Sequence, residues 1–448
     1  MIIDPLIFLL VSLGTLLIGG LSVVAARGIW QRLLLAGMYS GLWLYSGVGA
    51  AYTDVPEYYL LYYFGFLVVF AFAFWIFGIA FVHLSIRSGQ GLTRVLQNVN
   101  WHPIWPFIIW IYLLLYLMPL VYPDFRLPLL LAPMQPDLKK VWAAKWAIQE
   151  IDVLLKLLDY AKVLLTPLFY IALFRYRQHI VRVVLVFLAL YYLQYIANGY
   201  IGRSVIVMGL ATIWIALWVD RPNHRRALMA IMVALIPIVF VFAYYYSVIR
   251  IGGSLEGVTS LDAIVRTLEV ETSFPSKVGI PIIESGERGD IAEYIRWILT
   301  LPIPKLLTGT IEGARINYEI SEIVLGIAPG EKGWYVVLPG LVAESVYIYG
   351  QYFFWLHAVF IAFLAALVIR LMVRTPQLLF LLAYVVVIFA YTLNRGGISS
   401  LLIIIVNDFM LFYFIAFACI FGLLGRRKLA KTPARNESKV GDDGGAVQ

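Results

Sequence analysis

Three arginines and one glutamate have the chemical character and the positions to act on a phosphorylated substrate. Arg203 opens one apolar run, Arg250 closes another, and Arg395 lies in the short stretch NRGGISS between the last two runs. A guanidinium can hold a phosphate through two parallel hydrogen bonds. Glu344 lies in the largely apolar stretch LPGLVAESVYIYG, where the pKa of a carboxyl is raised toward the range of general acid–base catalysis. We predict Glu344 as a general base. The same reasoning predicts Arg203 and Arg250 as catalytic cations and Arg395 as a substrate ligand.

Each of these residues also has a structural interpretation. An arginine at a helix end can anchor the helix by extending its charge to water, and the tyrosines that precede Arg250 are ordinary residues of a membrane interface. Glu344 can equally serve only as the partner of a nearby arginine. Asp408, inside the last apolar run, needs a partner or a proton there. It either pairs with Arg395 or takes part in catalysis, and the structural role is favoured.

A long polar stretch, from Ile249 to Gly350, interrupts the apolar runs and holds many of the charged residues. A membrane protein with one large charged loop usually acts on something on that side of the membrane, although most of these charges are expected to form a solvated face. Further candidate ligands in this stretch are Arg296, Lys305, Arg315, Asn317, Tyr318 and Tyr347.

The sequence lacks the motifs of several common kinds of enzyme. The chain has no Walker A sequence, no GxGxxG, no HExxH and no GxSxG. The single cysteine, Cys419, excludes an intrachain disulfide. The five histidines are scattered, so we expect no metal site built from histidine. Asp54 and Glu57 are the candidates for a divalent cation, which we do not predict.

The composition places these residues in an all-α polytopic membrane protein. The chain of 448 residues is 62% hydrophobic and 13% charged, with a mean hydropathy of +0.87, which is too much apolar surface for a soluble protein to bury. Apolar runs of about 20 residues recur, and each is long enough to cross the hydrocarbon core. We predict about eleven transmembrane helices, at residues 6–25, 33–51, 59–83, 104–122, 153–174, 180–198, 203–219, 227–248, 351–370, 377–393 and 401–424.

Basic residues predict the orientation, because cytoplasmic loops carry an excess of lysine and arginine. With this number of spans, one side of the membrane receives Arg27, Arg32, Arg87, Arg94, Arg175, Arg177, Arg182, Arg221, Arg225, Arg226, Arg370, Arg374, Arg426, Arg427, Lys428 and Lys431. The chain then divides into residues 1–248 with eight spans, a large outer loop 249–350, residues 351–424 with three spans, and a disordered cytoplasmic tail 425–448. An amphipathic helix at the outer surface is expected over 137–160. The net charge of +8 does not indicate nucleic-acid binding, because no compact basic domain carries it.

Taken in order, these features resemble the Wzy-type polymerases of bacterial O-antigen and exopolysaccharide synthesis. The shared features are an arginine after glycine that opens a mid-chain span and a large extracytoplasmic loop in the second half. That loop has a Pro-Lys element, an asparagine and an E-x-x-Y-x-x-G element, and an Arg-Gly element precedes the last span. In this chain they fall at Arg203, Pro304, Lys305, Asn317, Glu344, Tyr347, Gly350, Arg395 and Gly396. The resemblance covers residues from about 199 to 424; before that, only the topology is similar. Gly350 is followed by QYFFW, which departs from the glycine-richer continuation of the family.

The resemblance implies a GT-C-like glycosyltransferase in the bacterial inner membrane. Its donor would be a glycan on a polyprenyl diphosphate, and its acceptor a lipid-linked repeat unit at the periplasmic face. Arginines would hold the diphosphate as it leaves, Glu344 would accept the proton of the acceptor hydroxyl, and aromatic residues of the loop would stack on sugars. The leaving group is already activated, so no nucleotide and no other cofactor is implied. Implied partners are the lipid-linked oligosaccharides, membrane lipid, and chain-length regulator and flippase proteins.

Two alternatives remain open at this stage. A lipid-linked oligosaccharide transporter or flippase would distribute charges within its spans and keep its loops short, whereas only His357, Asp408 and Lys162 fall within predicted spans here. An O-antigen ligase would use a periplasmic histidine, and the stretch from 249 to 350 contains none. Both observations favour the polymerase.

Overall fold

The protein is entirely helical in the part of the chain that the computed structural model describes, which is residues 4–51, 56–98, 103–121, 153–198, 203–250, 258–301, 303, 316–328, 331 and 336–420. The first ten helices are α1 Pro5–Ala25, α2 Ile29–Ala51, α3 Glu57–Ala80, α4 Val82–Asn98, α5 Ile104–Val121, α6 Val153–Leu164, α7 Thr166–Leu173, α8 Ile180–Asn198, α9 Arg203–Asp220 and α10 Arg225–Arg250. The remaining helices are α11 Ser260–Ser285, α12 Ile291–Thr300, α13 Ile316–Leu325, α14 Leu341–Phe353, α15 Trp355–Met372, α16 Pro376–Asp408 and α17 Met410–Ile420.

Six of these helices are long and apolar enough to cross a membrane, namely α1, α2, α3, α10, α15 and α16. They indicate a multi-pass membrane protein. Every predicted span coincides with helical residues, but the apolar helices within α5, α8 and α9 are shorter. The predicted span 153–174 is divided at Leu165 into α6 and α7. The number of eleven spans therefore stays a prediction. Of the predicted amphipathic segment 137–160, only the residues from Val153 onward lie within the described ranges.

Helix α16 lies at the centre of the bundle. Its run LFLLAYVVV, Leu379–Val387, is apolar on every face, and all of its residues are buried. A helix that is hydrophobic all round belongs in the interior of a bundle. It packs against α2, α7 and α9. Gly37 and Gly41, one turn apart on α2, face Ala390 so closely that a Cβ at Gly41 would lie 2.1 Å from the Ala390 carbonyl oxygen. Small residues at this spacing are what allow two membrane helices to approach.

Gly397 divides α16 in two. It adopts φ +74° and ψ −175°, a conformation that no helix contains and that L side chains rarely adopt. The start of α16 at Pro376–Leu378 and the following helix α17 both contact α4, so the chain turns back at this break. The turn lies between the predicted spans 377–393 and 401–424. The stretch NRGGISS, expected to be a loop, is instead helical on both sides of Gly397.

Three segments wind as π-helix, Trp43–Gly47 in α2 and Ile388–Leu393 and Ile403–Asp408 in α16. Such segments are rare and are frequently found at functional sites. Directly after the second of them, the Asn394 side chain donates hydrogen bonds to the carbonyl oxygens of Phe389 and Ala390, both at 3.0 Å. The amide therefore partners main-chain oxygens of the widened turn.

The stretch from 249 to 350 is packed onto the bundle in its described part. Helix α11 contacts α2, including its π-helical segment, and also contacts α10, α13 and α14. Its first turn is capped by Thr259 and Asp262, each of which hydrogen-bonds to the other's backbone N–H. These contacts bring charged residues of the stretch against the centre of the bundle.

Most of the predicted cytoplasmic arginines that can be compared lie at one end of the molecule. Arg370 interacts electrostatically with Arg27 and Arg374, and Gly89 of α4 lies against Arg374. Arg221 donates a hydrogen bond to the carbonyl oxygen of Arg177 at 2.9 Å. This grouping is what the predicted topology requires; the side of the membrane that this end faces stays a prediction.

Candidate functional site

Arg395 and Glu271 form an ion pair at the break in α16. The Arg395 Nε lies 2.9 Å from Glu271 Oε2, and its Nη2 donates to Glu271 Oε1 at 3.3 Å. The remaining terminal nitrogen, Nη1, donates to the Tyr391 hydroxyl at 3.3 Å. The guanidinium thus forms an ion pair with Glu271 and donates hydrogen bonds to Glu271 and Tyr391, which belong to two helices, α11 and α16.

Tyr45 completes this group, which we call the arginine cluster: Tyr45, Glu271, Tyr391 and Arg395. The rings of Tyr45 and Tyr391 meet edge to face with centroids 6.0 Å apart, and Tyr45 interacts electrostatically with both Glu271 and Arg395. Each tyrosine lies on a π-helical segment. The cluster is accessible, because the side chains of Arg395 and Glu271 remain 28% and 17% exposed. A cation, a carboxylate and two tyrosines therefore converge at a partly exposed position.

Glu344 lies beside this cluster but is completely buried. Its Oε1 accepts hydrogen bonds from the Ser399 N–H, at 3.1 Å, and from the Ser399 hydroxyl, and its Oε2 accepts one from the Ile398 N–H. These are the first amides after the break, and a carboxylate is well placed at the start of a helix because of the helix dipole. A Cβ at Gly397 would lie 2.2 Å from Glu344 Oε2. Glu344 therefore holds the second half of α16 in place.

The titration of Glu344 reflects two opposed effects. Burial raises its pKa to about 7, while the hydrogen bonds from Ser399 and Ile398 act in the opposite direction and only partly offset the burial. A group with this pKa can exchange a proton near neutral pH. The carboxylate has no exposed surface in this conformation, however, so it meets the backbone of α16 and no open space.

The other two residues of the E-x-x-Y-x-x-G element have separate contacts. The Tyr347 hydroxyl donates to Glu319 Oε2 of α13 at 2.8 Å, and its carbonyl oxygen accepts from the Gly289 N–H at 3.0 Å. Burial and the neighbouring Glu319 both raise the pKa of Tyr347. Gly350 adopts φ +76° and lies beneath the guanidinium of Arg288. The element thus ties α14 to α16, to α13 and to the connection between α11 and α12.

A buried histidine accompanies this element. His357 of α15 and Ser345 of α14 are both fully buried, and the Ser345 hydroxyl lies 2.7 Å from His357 Nδ1. No hydrogen-bond partner meets His357 Nε2 among the described residues. The pair joins α14 to α15, and neither side chain reaches the surface.

The predicted cations outside the cluster are only partly described. Arg203 is the first residue of α9 and Arg250 the last residue of α10, but their side chains lie outside the described part of the protein, and Lys305 and Arg315 lie outside it altogether. Their predicted roles stay predictions.

The remaining predicted ligands lie on two helices of the outer stretch. Asn317 and Tyr318 are on α13, where Tyr318 is half-buried and the side chain of Asn317 is outside the described set. Arg296 is exposed on α12. Neither α12 nor α13 contributes a residue to the arginine cluster as defined above.

Sequence reasoning missed two features of the site. Glu271 was grouped with the solvated charges of the outer stretch, yet it is the partner of Arg395, in place of the expected Asp408. Asp408 instead interacts electrostatically with Lys162. Tyr45 and Tyr391 had no signal in the sequence, because a tyrosine within an apolar run looks like any core aromatic residue.

Comparisons with known proteins add no family. No protein-family model, no curated protein and no solved structure matches this chain. Within the residues that can be described, no three His, Cys, Asp or Glu side chains converge as a metal site would require. The interpretation of the site therefore rests on its geometry.

Proposed function

We propose that this protein is a membrane glycosyltransferase of the polymerase type, which transfers a polyprenyl-diphosphate-linked glycan onto a lipid-linked repeat unit. The observation that carries the proposal is the arginine cluster. A partly exposed guanidinium, fixed by a carboxylate and a tyrosine at a helix break, is suited to stabilise a diphosphate leaving group. The multi-pass helical architecture suits a substrate that is itself anchored in a membrane.

The reaction needs three events. The acceptor hydroxyl oxygen attacks the anomeric carbon of the donor glycan, and the bond from that carbon to the phosphate oxygen breaks. Polyprenyl diphosphate leaves with both electrons of that bond, and its charge is held by Arg395. The hydroxyl proton passes to a carboxylate. Arg203 and Arg250 are proposed as further diphosphate ligands.

Two carboxylates are candidates for the base, and the geometry favours Glu271 over Glu344. Glu271 is partly exposed and touches Arg395, whereas Glu344 is enclosed and engaged by three donors. A diphosphate that binds Arg395 competes with Glu271 for the guanidinium. The released carboxylate then lies next to the reacting groups. In this scheme Glu344 stabilises the break in α16 at Gly397, and that break positions Arg395.

The location and partners belong to the same proposal. The basic end of the bundle is assigned to the cytoplasm, which directs the N-terminus and the stretch 249–350 to the periplasm of a bacterial inner membrane. Proposed partners are the two lipid-linked oligosaccharides, a chain-length regulator and a flippase.

Turnover of purified protein on polyprenyl-diphosphate-linked repeat units tests the proposal. We expect Arg395→Ala to lower turnover by about 10²–10³-fold and Glu271→Gln by about 10²–10⁴-fold. Arg395→Lys should recover only part of the loss, because lysine lacks the planar fork.

Lys277→Ala provides the matched control, because Lys277 is exposed on the same helix as Glu271 and stands outside the cluster. Unaltered turnover in Arg395→Ala, normalised to folded protein, would exclude the phosphate-holding role. Translocation of the intact lipid with no bond formed would identify a flippase instead.

A further inference from the structure

An open, basic cavity lies at the opposite end of the bundle from the arginine cluster. It has a volume of about 850 Å³ and is lined by Arg94, Arg374, Gln90, Thr93 and Gln97, with Ile86 and Gly89. Helix α4 forms one wall, and the turn between α15 and α16 forms the other. Its polar lining is unlike the apolar surface that covers most membrane helices.

Packing between α4 and the end of α15 builds these walls. Ser88 is fully buried, and its hydroxyl donates to the Leu371 carbonyl oxygen. A Cβ at Gly89 would lie 2.5 Å from the Arg374 Cβ, so only glycine allows α4 to approach the turn this closely. The two arginines are therefore held across a formed cavity by contacts on the buried face of α4.

A second cavity of about 230 Å³ lies beside the first. The two share Gln97 in their linings, and the smaller one is walled mainly by apolar side chains, with Arg175 and Gln377 at its polar side. Its apolar lining consists of Leu96, Ile171, Ala172 and Phe174. We call the two cavities together the basic groove. It offers a charged compartment next to an apolar one.

The arginines of the groove have no acidic partner within the described ranges. Among the described residues, no carboxylate pairs with Arg94, Arg175 or Arg374. Other arginines at this end do have partners: Arg177 lies 4.0 Å from Asp220 and over the ring of Phe174.

Like charges also gather beside the groove, because Arg374 and Arg27 both interact electrostatically with Arg370. In the smaller cavity, the buried Oε1 of Gln377 meets no hydrogen-bond donor from the described part of the chain. A bound anion would offset the excess positive charge, and a hydroxyl of the same ligand would donate a hydrogen bond to Gln377 Oε1.

We propose that the basic groove binds an anionic phospholipid. The phosphate lies between Arg94 and Arg374, the headgroup hydroxyls reach Gln97 and Gln377, and an acyl chain lies along the apolar side of the smaller cavity. The pairing of a charged compartment with an apolar one favours a lipid over a free phosphate, which would use only the first. This site is separate from the proposed reaction, because it lies at the other end of the bundle.

The test compares lipid retention and thermal stability in purified full-length protein. Phosphatidylglycerol is titrated into delipidated protein, with phosphatidylcholine and inorganic phosphate as separate arms. We expect phosphatidylglycerol to raise the unfolding temperature and to remain bound in native mass spectrometry, and the other two to do neither. Arg94→Gln/Arg374→Gln should weaken phosphatidylglycerol binding by at least about tenfold relative to a control variant, since each basic residue near an anionic lipid contributes a several-fold factor.

Arg87→Gln/Arg182→Gln is that control, because it removes the same charge from exposed positions outside the groove. Equal weakening in both variants would mean general charge attraction and would overturn the proposal. An equal response to inorganic phosphate would replace the lipid with a soluble phosphate and would also overturn it. If the groove variant unfolds without lipid, Gln97→Leu, which keeps every charge, should still weaken phosphatidylglycerol binding; unchanged binding there counts against the site.

Discussion

At the residue scale, Glu344 and Gly397 depend on each other, because the Glu344 carboxylate packs where Gly397 has no side chain. The carboxylate fills the space that any Cβ at position 397 would need, and it accepts hydrogen bonds from the two amides that follow. Burial strengthens these hydrogen bonds. It also makes their loss costly, because a buried N–H that loses its partner cannot hydrogen-bond to water instead. Arg395 lies two residues before the glycine, so the same break in α16 determines its position.

Gly397→Ala tests the fit directly. The alanine Cβ would collide with the Glu344 carboxylate, and the positive φ would add strain, so we expect a loss of about 2 kcal/mol or more of stability. Thermal unfolding in detergent measures it. Gly20→Ala is the control, because a Cβ there meets nothing within 4 Å. Equal unfolding temperatures for the two variants would contradict the described packing.

The raised pKa of Glu344 predicts a pH dependence. The folded protein binds this proton more tightly than the unfolded chain does, because burial raises the pKa from the ordinary 4.5 to about 7. The contribution of this group to stability is therefore full below about pH 4.5 and is lost as the pH rises through about 7. The glutamine in Glu344→Gln cannot titrate, so this variant should lose that part of the dependence of stability on pH. Its amide NH₂ would also face the donors of Ile398 and Ser399, which should lower stability by about 1–3 kcal/mol.

Unfolding temperatures of the wild type, Glu344→Gln and the exposed Glu322→Gln, measured between about pH 5 and about pH 8, check this prediction. The Glu322 variant should follow the wild type. Parallel curves for the wild type and Glu344→Gln would mean that Glu344 does not titrate in this range. Turnover per folded molecule in Glu344→Gln separates a positioning role, which leaves some activity, from a catalytic base, whose loss costs about 10²–10⁴-fold.

At the element scale, α14 connects the outer stretch to the membrane bundle. Its motif residues Glu344, Tyr347 and Gly350 contact three different partners, which are α16, α13 and the connection before α12. Residues three apart share a helix face only approximately, so each finds a different neighbour. Helix α13 packs against α11, and besides the Tyr347–Glu319 bond, its Ser321 hydroxyl accepts a hydrogen bond from the Val337 N–H at 2.9 Å.

Tyr347→Phe should therefore loosen α13. The variant removes the hydrogen bond to Glu319, and a bond to a charged acceptor contributes about 1.5–3 kcal/mol. We expect faster amide exchange across Ile316–Leu325 by roughly tenfold, with exchange in α16 unchanged. Tyr352→Phe is the control on the same helix, because Tyr352 is 78% exposed. Equal exchange in both variants would show that the hydroxyl does not hold α13.

At the scale of the whole molecule, the protein has two chemically different ends. One end gathers arginines from α4, α15 and the turns beside α8 and α9. The other has the N-terminus of α1 joined to the end of α2, where the Asp4 N–H donates to the Ala51 carbonyl oxygen at 2.9 Å. This asymmetry is what orients a polytopic protein in a membrane.

Cysteine labelling in intact cells tests the orientation. On a Cys419→Ala background, a cysteine at Ser285 should react with a membrane-impermeant maleimide added outside, because Ser285 is exposed at the end of α11. A cysteine at Gln178, exposed at the arginine-rich end, should react only after the membrane is permeabilised. The reverse pattern would invert the molecule and move the arginine cluster to the cytoplasm.

The sequence by itself determined the class of the protein and the positions of most helices, because apolar runs and basic loops report directly on a membrane environment. It also singled out Glu344, Tyr347, Gly350 and Arg395. Their partners were decided by the tertiary structure. Arg395 meets Glu271 across 124 positions of sequence, and Glu344 meets Ser399 across 55. Buried polar contacts between helices leave no periodic trace in the chain, because each depends on how two helices pack and on where a single glycine permits a break.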